Sequence, residues 1–188
     1  MALPETNMKV QKPYRKKLRE GDIFRLKYSD DRYVFGQIVS LTAKAGGFGN
    51  CIKVYVFDAV LNEPEKVIDL YSNELMFAPL FINRLGFSRG YMPIVDNKPV
   101  VQITTKYCYF DVPFKKYLDA EGDEISNAKG VVGTWGLSNY LVLDDLVSEI
   151  LGIPVIEATS PNKLFKVDKI TLAWFRSASH FSQHNFAH

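Results

Sequence analysis

The stretch from Gly21 to Leu41 limits the possible folds more than any other. Phe24, Leu26 and Tyr28 alternate with Arg25 and Lys27, the period of two that marks a half-exposed strand. Ser29-Asp30-Asp31-Arg32 follows, and Ser and Asp side chains hydrogen-bond nearby backbone in turns. Tyr33 to Leu41 reads as a second strand, so residues 22–41 predict an antiparallel hairpin. Gly36 interrupts that strand, either at a bulge or beneath a neighbouring backbone.

The rest of the chain extends this theme. Ala45-Gly46-Gly47-Phe48-Gly49-Asn50 reads as a flexible loop, and a strand from Cys51 to Phe57 puts Ile52, Val54 and Val56 on one face. Asn62-Glu63-Pro64-Glu65 breaks the pattern. Asp69 to Asn83 is ambiguous, with Leu70, Leu75, Met76 and Leu80 able to line a short helix that stops near Pro79. Tyr91–Val95 predicts a strand ended by the Asp96-Asn97-Lys98-Pro99 turn. Gln102–Phe110 predicts another, with Ile103, Thr105, Tyr107 and Tyr109 on one face. The best helix begins after Gly136, with Ser138 as its N-cap and Leu141, Leu143, Leu146, Val147, Ile150 and Leu151 as its apolar positions. Asp144, Asp145 and Glu149 fall on its solvated side, and Gly152 with Pro154 stops it. Val155–Glu157 reads as a brief strand and Lys163–Trp174 as a strand or short helix. The expected class is α+β: a strongly bent antiparallel β-sheet or partial barrel with one principal covering helix. With no repeat and no low-complexity linker, residues 21–188 read as a single domain.

Charge divides the chain unevenly. Residues 1–20 carry six basic and two acidic side chains, leaving 17 basic against 19 acidic in 21–188. The leader 1–20 therefore reads as a basic, flexible, solvated terminus, with contact to a polyanion as the alternative. A nucleic-acid module is expected to carry its positive stripe on the folded body, and the body here is mildly acidic. The first five residues hold no apolar signal region, and no long uncharged apolar stretch occurs, so neither secretion nor a membrane span is expected. Cys51 and Cys108 sit among apolar neighbours and read as buried free thiols in a reducing cytoplasm.

Little chemistry is legible. The three histidines, His180, His184 and His188, lie at helical spacing in the last nine residues, but no acid or cysteine there completes a metal site. Asp119-Ala120-Glu121-Gly122-Asp123-Glu124 resembles a calcium loop until its twelfth position, which is Gly130. Asp144 and Asp145 are consecutive and point about 100° apart on a helix, so they do not converge on one substrate atom. The glycines at 46, 47 and 49 lack the lysine and following helix of a phosphate loop. No metal, no cofactor and no catalytic residue is expected. The acids Asp119, Glu121, Asp123 and Glu124 leave open an electrostatic surface for a basic partner, and Asp144 and Asp145 read as one face of the helix.

The segment Lys17 to Leu26, with Tyr33 to Val39, resembles the opening of the immunity protein 26 family. That family opens with a basic lead-in, a G-D-[IV]-F strand and a second strand carrying [FY]-x-[FY]-G-[RQ]-[IV]. Gly21, Asp22, Phe24, Tyr33, Phe35, Gly36 and Gln37 occupy the matching positions, and their expected role is to maintain the fold. Looser similarity continues in Pro79-Leu80-Phe81 and Gly90 to Val95. The resemblance implies a bacterial protein encoded with a polymorphic or contact-dependent toxin, which it binds and neutralises in the cytoplasm of the producing cell without catalysis. On that implication the expected contact surface for a basic toxin is Asp119, Glu121, Asp123 and Glu124 on the turn with Asp144, Asp145 and Glu149 on the helix. The competing expectation is a small β-barrel-type module that binds nucleic acid through the leader and exposed tyrosines.

Overall fold

The computed structural model describes residues 6–28, 32–62 and 74–156. The predicted hairpin is present. Strand β1 (Asp22–Lys27) pairs antiparallel with β2 (Tyr33–Ala45), Phe24 opposite Gly36 and Leu26 opposite Val34. Gly36 satisfies both anticipated reasons for a glycine. It falls at a register shift, and a Cβ there would lie 2.2 Å from Phe24 Cζ and 2.4 Å from the Tyr55 carbonyl oxygen.

Strand β3 (Phe48–Leu61) returns along β2 through Gly46–Gly47 alone, so residues 45–50 are strand and tight turn rather than the flexible loop expected. Both turn residues have positive φ, the conformation whose twist matches a hairpin. The helix considered before Pro79 is not formed within residues 74–83. Leu75 bridges Phe57, and β4 (Leu80–Ile82) pairs antiparallel with β3. The long edge of β3 offers a full ladder, which outcompetes weak helical spacing. A five-residue helix that the sequence reading did not anticipate, α1 (Leu85–Arg89), follows.

Next come β5 (Ile94–Asn97), β6 (Tyr107–Asp111), β7 (Lys116–Leu118), β8 (Glu124–Ile125), β9 (Val131–Thr134), β10 (Leu137–Ser138) and α2 (Tyr140–Ile150). Residues 102–106, expected to be strand, run outside the ladder; the Thr105 hydroxyl accepts the Leu75 N–H instead (3.1 Å). The strands form a six-stranded sheet in the order β10-β4-β3-β2-β1-β5 and a four-stranded sheet in the order β8-β7-β6-β9. The architecture is α+β with open sheets and one principal helix. It departs from a wholly antiparallel sheet because β10 runs parallel to β4 and β9 parallel to β6. The chain crosses between the sheets in a single step at Trp135–Gly136, from β9 in the small sheet to β10 in the large one.

Successive side chains of β1, β2 and β3 go to opposite faces of the large sheet. Phe24, Ile38 and Val54 join Leu143, Leu146 and Val147 of α2 in one core, while Ile23, Phe35 and Tyr55 form a second. A third cluster, with Cys51, Phe81, Tyr109 and Leu118, fills the space between the sheets. Cys51 and Cys108 are both free and buried. Asn139, not Ser138, caps α2: its side chain accepts from the Leu141 and Val142 N–H groups.

Residues 6–20 correct the expectation of a flexible leader. Met8 and Leu18 are buried in the α2 core, and Tyr14 packs against it. The Lys9 N–H bonds the Lys27 carbonyl and the Tyr14 N–H that of Phe87, at 2.8 and 2.9 Å. The proposed strand and helix elements in 163–174 and the three histidines lie outside the described residues, as do residues 69–73 of the ambiguous segment 69–83 and the last residue of the strand read at 155–157.

Candidate functional site

The family-motif residues form a buried joint. Gly21 takes φ +85°, and a Cβ would meet the Lys98 carbonyl oxygen at 2.3 Å, so only glycine lets β1 begin beside residues 97–99. Asp22, fully buried, accepts from the Arg19 N–H (2.9 Å), Arg19 Nε (3.3 Å) and Asn97 Nδ2 (2.8 Å). Gln37, also fully buried, donates to the carbonyls of Lys98 (3.0 Å) and Pro99 (3.1 Å) and accepts from the Val101 N–H (3.1 Å). Gln37 and one Asp22 oxygen hold residues 97–101 to the hairpin, while the other Asp22 oxygen holds the Arg19 backbone. Phe24, Tyr33 and Phe35 are core. The motif builds the fold and presents no reactive group.

The acids expected to form one surface are divided by the structure. Asp119 organises its turn: its Oδ1 accepts from the N–H groups of Glu121, Gly122 and Asp123 at 2.9–3.0 Å. These bonds, the one from Asp123 first, hold its carboxyl below the usual range. Glu124 pairs with Lys116 at 3.2 Å. Glu121 and Asp123 are exposed at the tip between β7 and β8.

Asp144 and Asp145 correct the expectation of a solvated helix face, being only 3% and 4% exposed. The Asp144 carboxylate accepts the Asn7 and Met8 N–H groups, each at 2.9 Å, so the docked N-terminal segment covers the side of α2 that the sequence pattern assigned to water. Glu149 is half-buried, while Ile150, expected in the core, is exposed.

Beneath the acidic turn lies a cluster that sequence reading missed. Lys53 on β3 places its ammonium 5.4–6.0 Å from the ring centres of Phe81, Tyr107 and Tyr109. It donates to the Tyr107 hydroxyl (3.2 Å) and the Ala120 carbonyl (3.4 Å), tying the turn to the large sheet. Burial lowers the pKa of Lys53, with Glu121 acting against that shift, and burial raises the Tyr107 phenol. The Trp135 ring packs on Phe81 and Tyr109 and lies under Gly122. The alternation of Tyr107 and Tyr109 was visible in sequence; the lysine that joins them comes from a strand more than fifty residues earlier.

Nothing in this arrangement forms a nucleophile–base pair. Among the described residues no three His, Cys, Asp or Glu side chains group to hold a metal ion, and no helix is long and apolar enough to cross a membrane. Burial raises both thiols above their ordinary value, which disfavours the reactive thiolate.

No curated protein and no solved structure matches the chain. The family model for Immunity protein 26 matches residues 19–115, from the lead-in to β1 through the whole of β6 and just over half of the chain. On that match, and on the motif joint that it contains, the chain belongs to the Immunity protein 26 family.

Proposed function

We propose that this chain is the immunity protein of a bacterial polymorphic-toxin system, binding one cognate toxin domain in the cytoplasm of the producing cell. Neutralisation is stoichiometric and needs no chemistry from the immunity protein. Family membership over residues 19–115 is the observation that carries this reading. The acidic turn is the first contact surface. Exposed Glu121 and Asp123, with Glu124 beside them, act as rim charges that speed capture of a basic toxin. Asp119 shapes the turn.

Co-expression with the toxin encoded in the neighbouring gene tests the reading. Cells survive and a complex is recovered; no rescue and no complex at micromolar concentration contradicts it. Reversing Glu121, Asp123 and Glu124 together is expected to slow association several-fold at low salt while stability stays within about 0.5 kcal/mol. An unchanged association rate moves the contact elsewhere.

One observation favours the second reading, a nucleic-acid-binding module. Lys9, Lys12, Arg15, Lys16 and Lys17 are all exposed along a segment docked on the body. That reading requires duplex or single-strand binding tighter than about 1 µM at physiological salt, beyond ordinary non-specific affinity.

A further inference from the structure

Three large apolar side chains, Phe48, Leu85 and Leu137, remain 56%, 39% and 38% exposed. They come from β3, α1 and β10, and all three line one groove of about 460 Å³. Scattered apolar residues on a surface are ordinary, whereas several converging on one concavity mark a contact site.

Arg89 is the one charged residue in the groove wall. Its Nη1 donates to the Tyr140 hydroxyl at 2.5 Å, and its guanidinium lies 5.5 Å from the centre of that ring. The phenol holds the cation in place but does not neutralise it. Among the described residues no carboxylate lies within ion-pair distance of Arg89.

The docked N-terminal segment is basic and lies on the same helix α1. It is tied to α1 and its cap by the Tyr14 N–H on the Phe87 carbonyl and the Gln11 N–H on that of Gly90. Arg84 also donates to the Lys16 carbonyl. From residue 9 to residue 19 the segment contains no acid. The groove is therefore largely apolar, with one cation in its wall and a basic segment docked on the same short helix.

We propose that this groove seats a segment of the toxin that presents a large apolar side chain with a carboxylate beside it. The side chain lies against Phe48, Leu85 and Leu137, and the carboxylate takes the donors of Arg89 that Tyr140 leaves available. The apolar interior favours a polypeptide over a phosphate backbone, which has nothing to place on Phe48 or Leu85. The inference rests on the toxin reading and adds a second surface to it. The two surfaces flank one segment: Trp135 lies under the acidic turn, and Leu137 lines the groove.

Calorimetric titration of the full chain with the neighbouring toxin domain tests the inference, using Phe48→Ser, Leu85→Ser, Arg89→Gln and Arg89→Glu. Each variant is expected to keep its melting temperature within a few degrees and to weaken binding by about tenfold or more, Arg89→Glu most. Radical footprinting of the wild-type complex gives a readout that no folding defect can confuse: Phe48 and Leu137 become protected from labelling. A wild-type complex with unchanged Phe48 and Leu137 labelling, or with wild-type affinity in well-folded Phe48→Ser and Arg89→Glu proteins, overturns the groove and leaves the toxin reading standing. Absence of any wild-type complex overturns both. A self-association that Arg89→Glu disperses assigns the groove to a second copy, and displacement of the toxin from it by duplex DNA assigns it to nucleic acid; either result overturns the proposal.

Discussion

Gly36 has no room for a methyl group, since the Phe24 ring and the Tyr55 carbonyl occupy the space on that side of the strand. Gly36→Ala is expected to cost about 1–3 kcal/mol or more, read from the urea midpoint. Gln37→Leu leaves the Val101 N–H without its acceptor and two carbonyls without their donor, and is expected to cost a similar 1–3 kcal/mol or so. Asp119 gives a pH signature. Its folded pKa lies below its unfolded one, so the turn's stabilisation is present above the unfolded value of about 3.9 and is lost as pH falls through the folded value. The Glu121, Gly122 and Asp123 amide resonances are expected to titrate together with a midpoint below about 3.9, and not at all in Asp119→Asn. A midpoint at or above that value contradicts the assignment. Asp22, Phe24 and Gly36 were legible as structural because strand register brings their partners to them, whereas Gln37 bonds residues 61 to 64 positions later and was legible only through the family pattern. Asp144 was not. Its polarity at a helical position suggests water, and the backbone it caps lies 136 and 137 residues earlier.

The docked N-terminal segment turns an amphipathic helix into one covered on a second side. Deleting residues 1–20 removes Met8, Tyr14 and Leu18 from the core and leaves the buried Asp144 without two of its donors. Two buried side chains of this kind contribute roughly 1.5–3 kcal/mol each. At about 2–4 °C per kcal/mol for a chain of this size, the melting temperature is expected to fall by roughly 10 °C or more in a calorimetric scan. A change of only a degree or two contradicts the docking. Asp144→Lys tests the same contact from the helix side, and is expected to destabilise by about 3 kcal/mol or more because a buried carboxylate becomes a buried ammonium. The β1–β2 hairpin and α2 could be read because each carries its own periodicity. Strands β4, β9 and β10 are two to four residues long and owe their existence to a partner's open edge, a property absent from their own sequence. Helix α1, with five residues, is too short to show a period.

Across the whole molecule, two open sheets meet at Trp135 and the Lys53 cluster, and the two proposed contact surfaces lie on either side of that seam. About twenty residues of hairpin pointed to the family, because the glycine, acid and amide of the motif are demanded by one joint. The proposed contact surfaces were less legible, since they are assembled from β3, α1, β10 and the β7–β8 turn. The acidic turn and Leu137 also lie beyond the matched residues 19–115. Titrating a fixed amount of the toxin domain with this chain tests the central claim most directly. Toxin activity is predicted to fall in proportion to the chain added and to vanish at one chain per toxin, with the toxin's mass unchanged when the complex is separated. Full inhibition by a small fraction of an equivalent, which requires turnover, or no inhibition at any ratio, contradicts it.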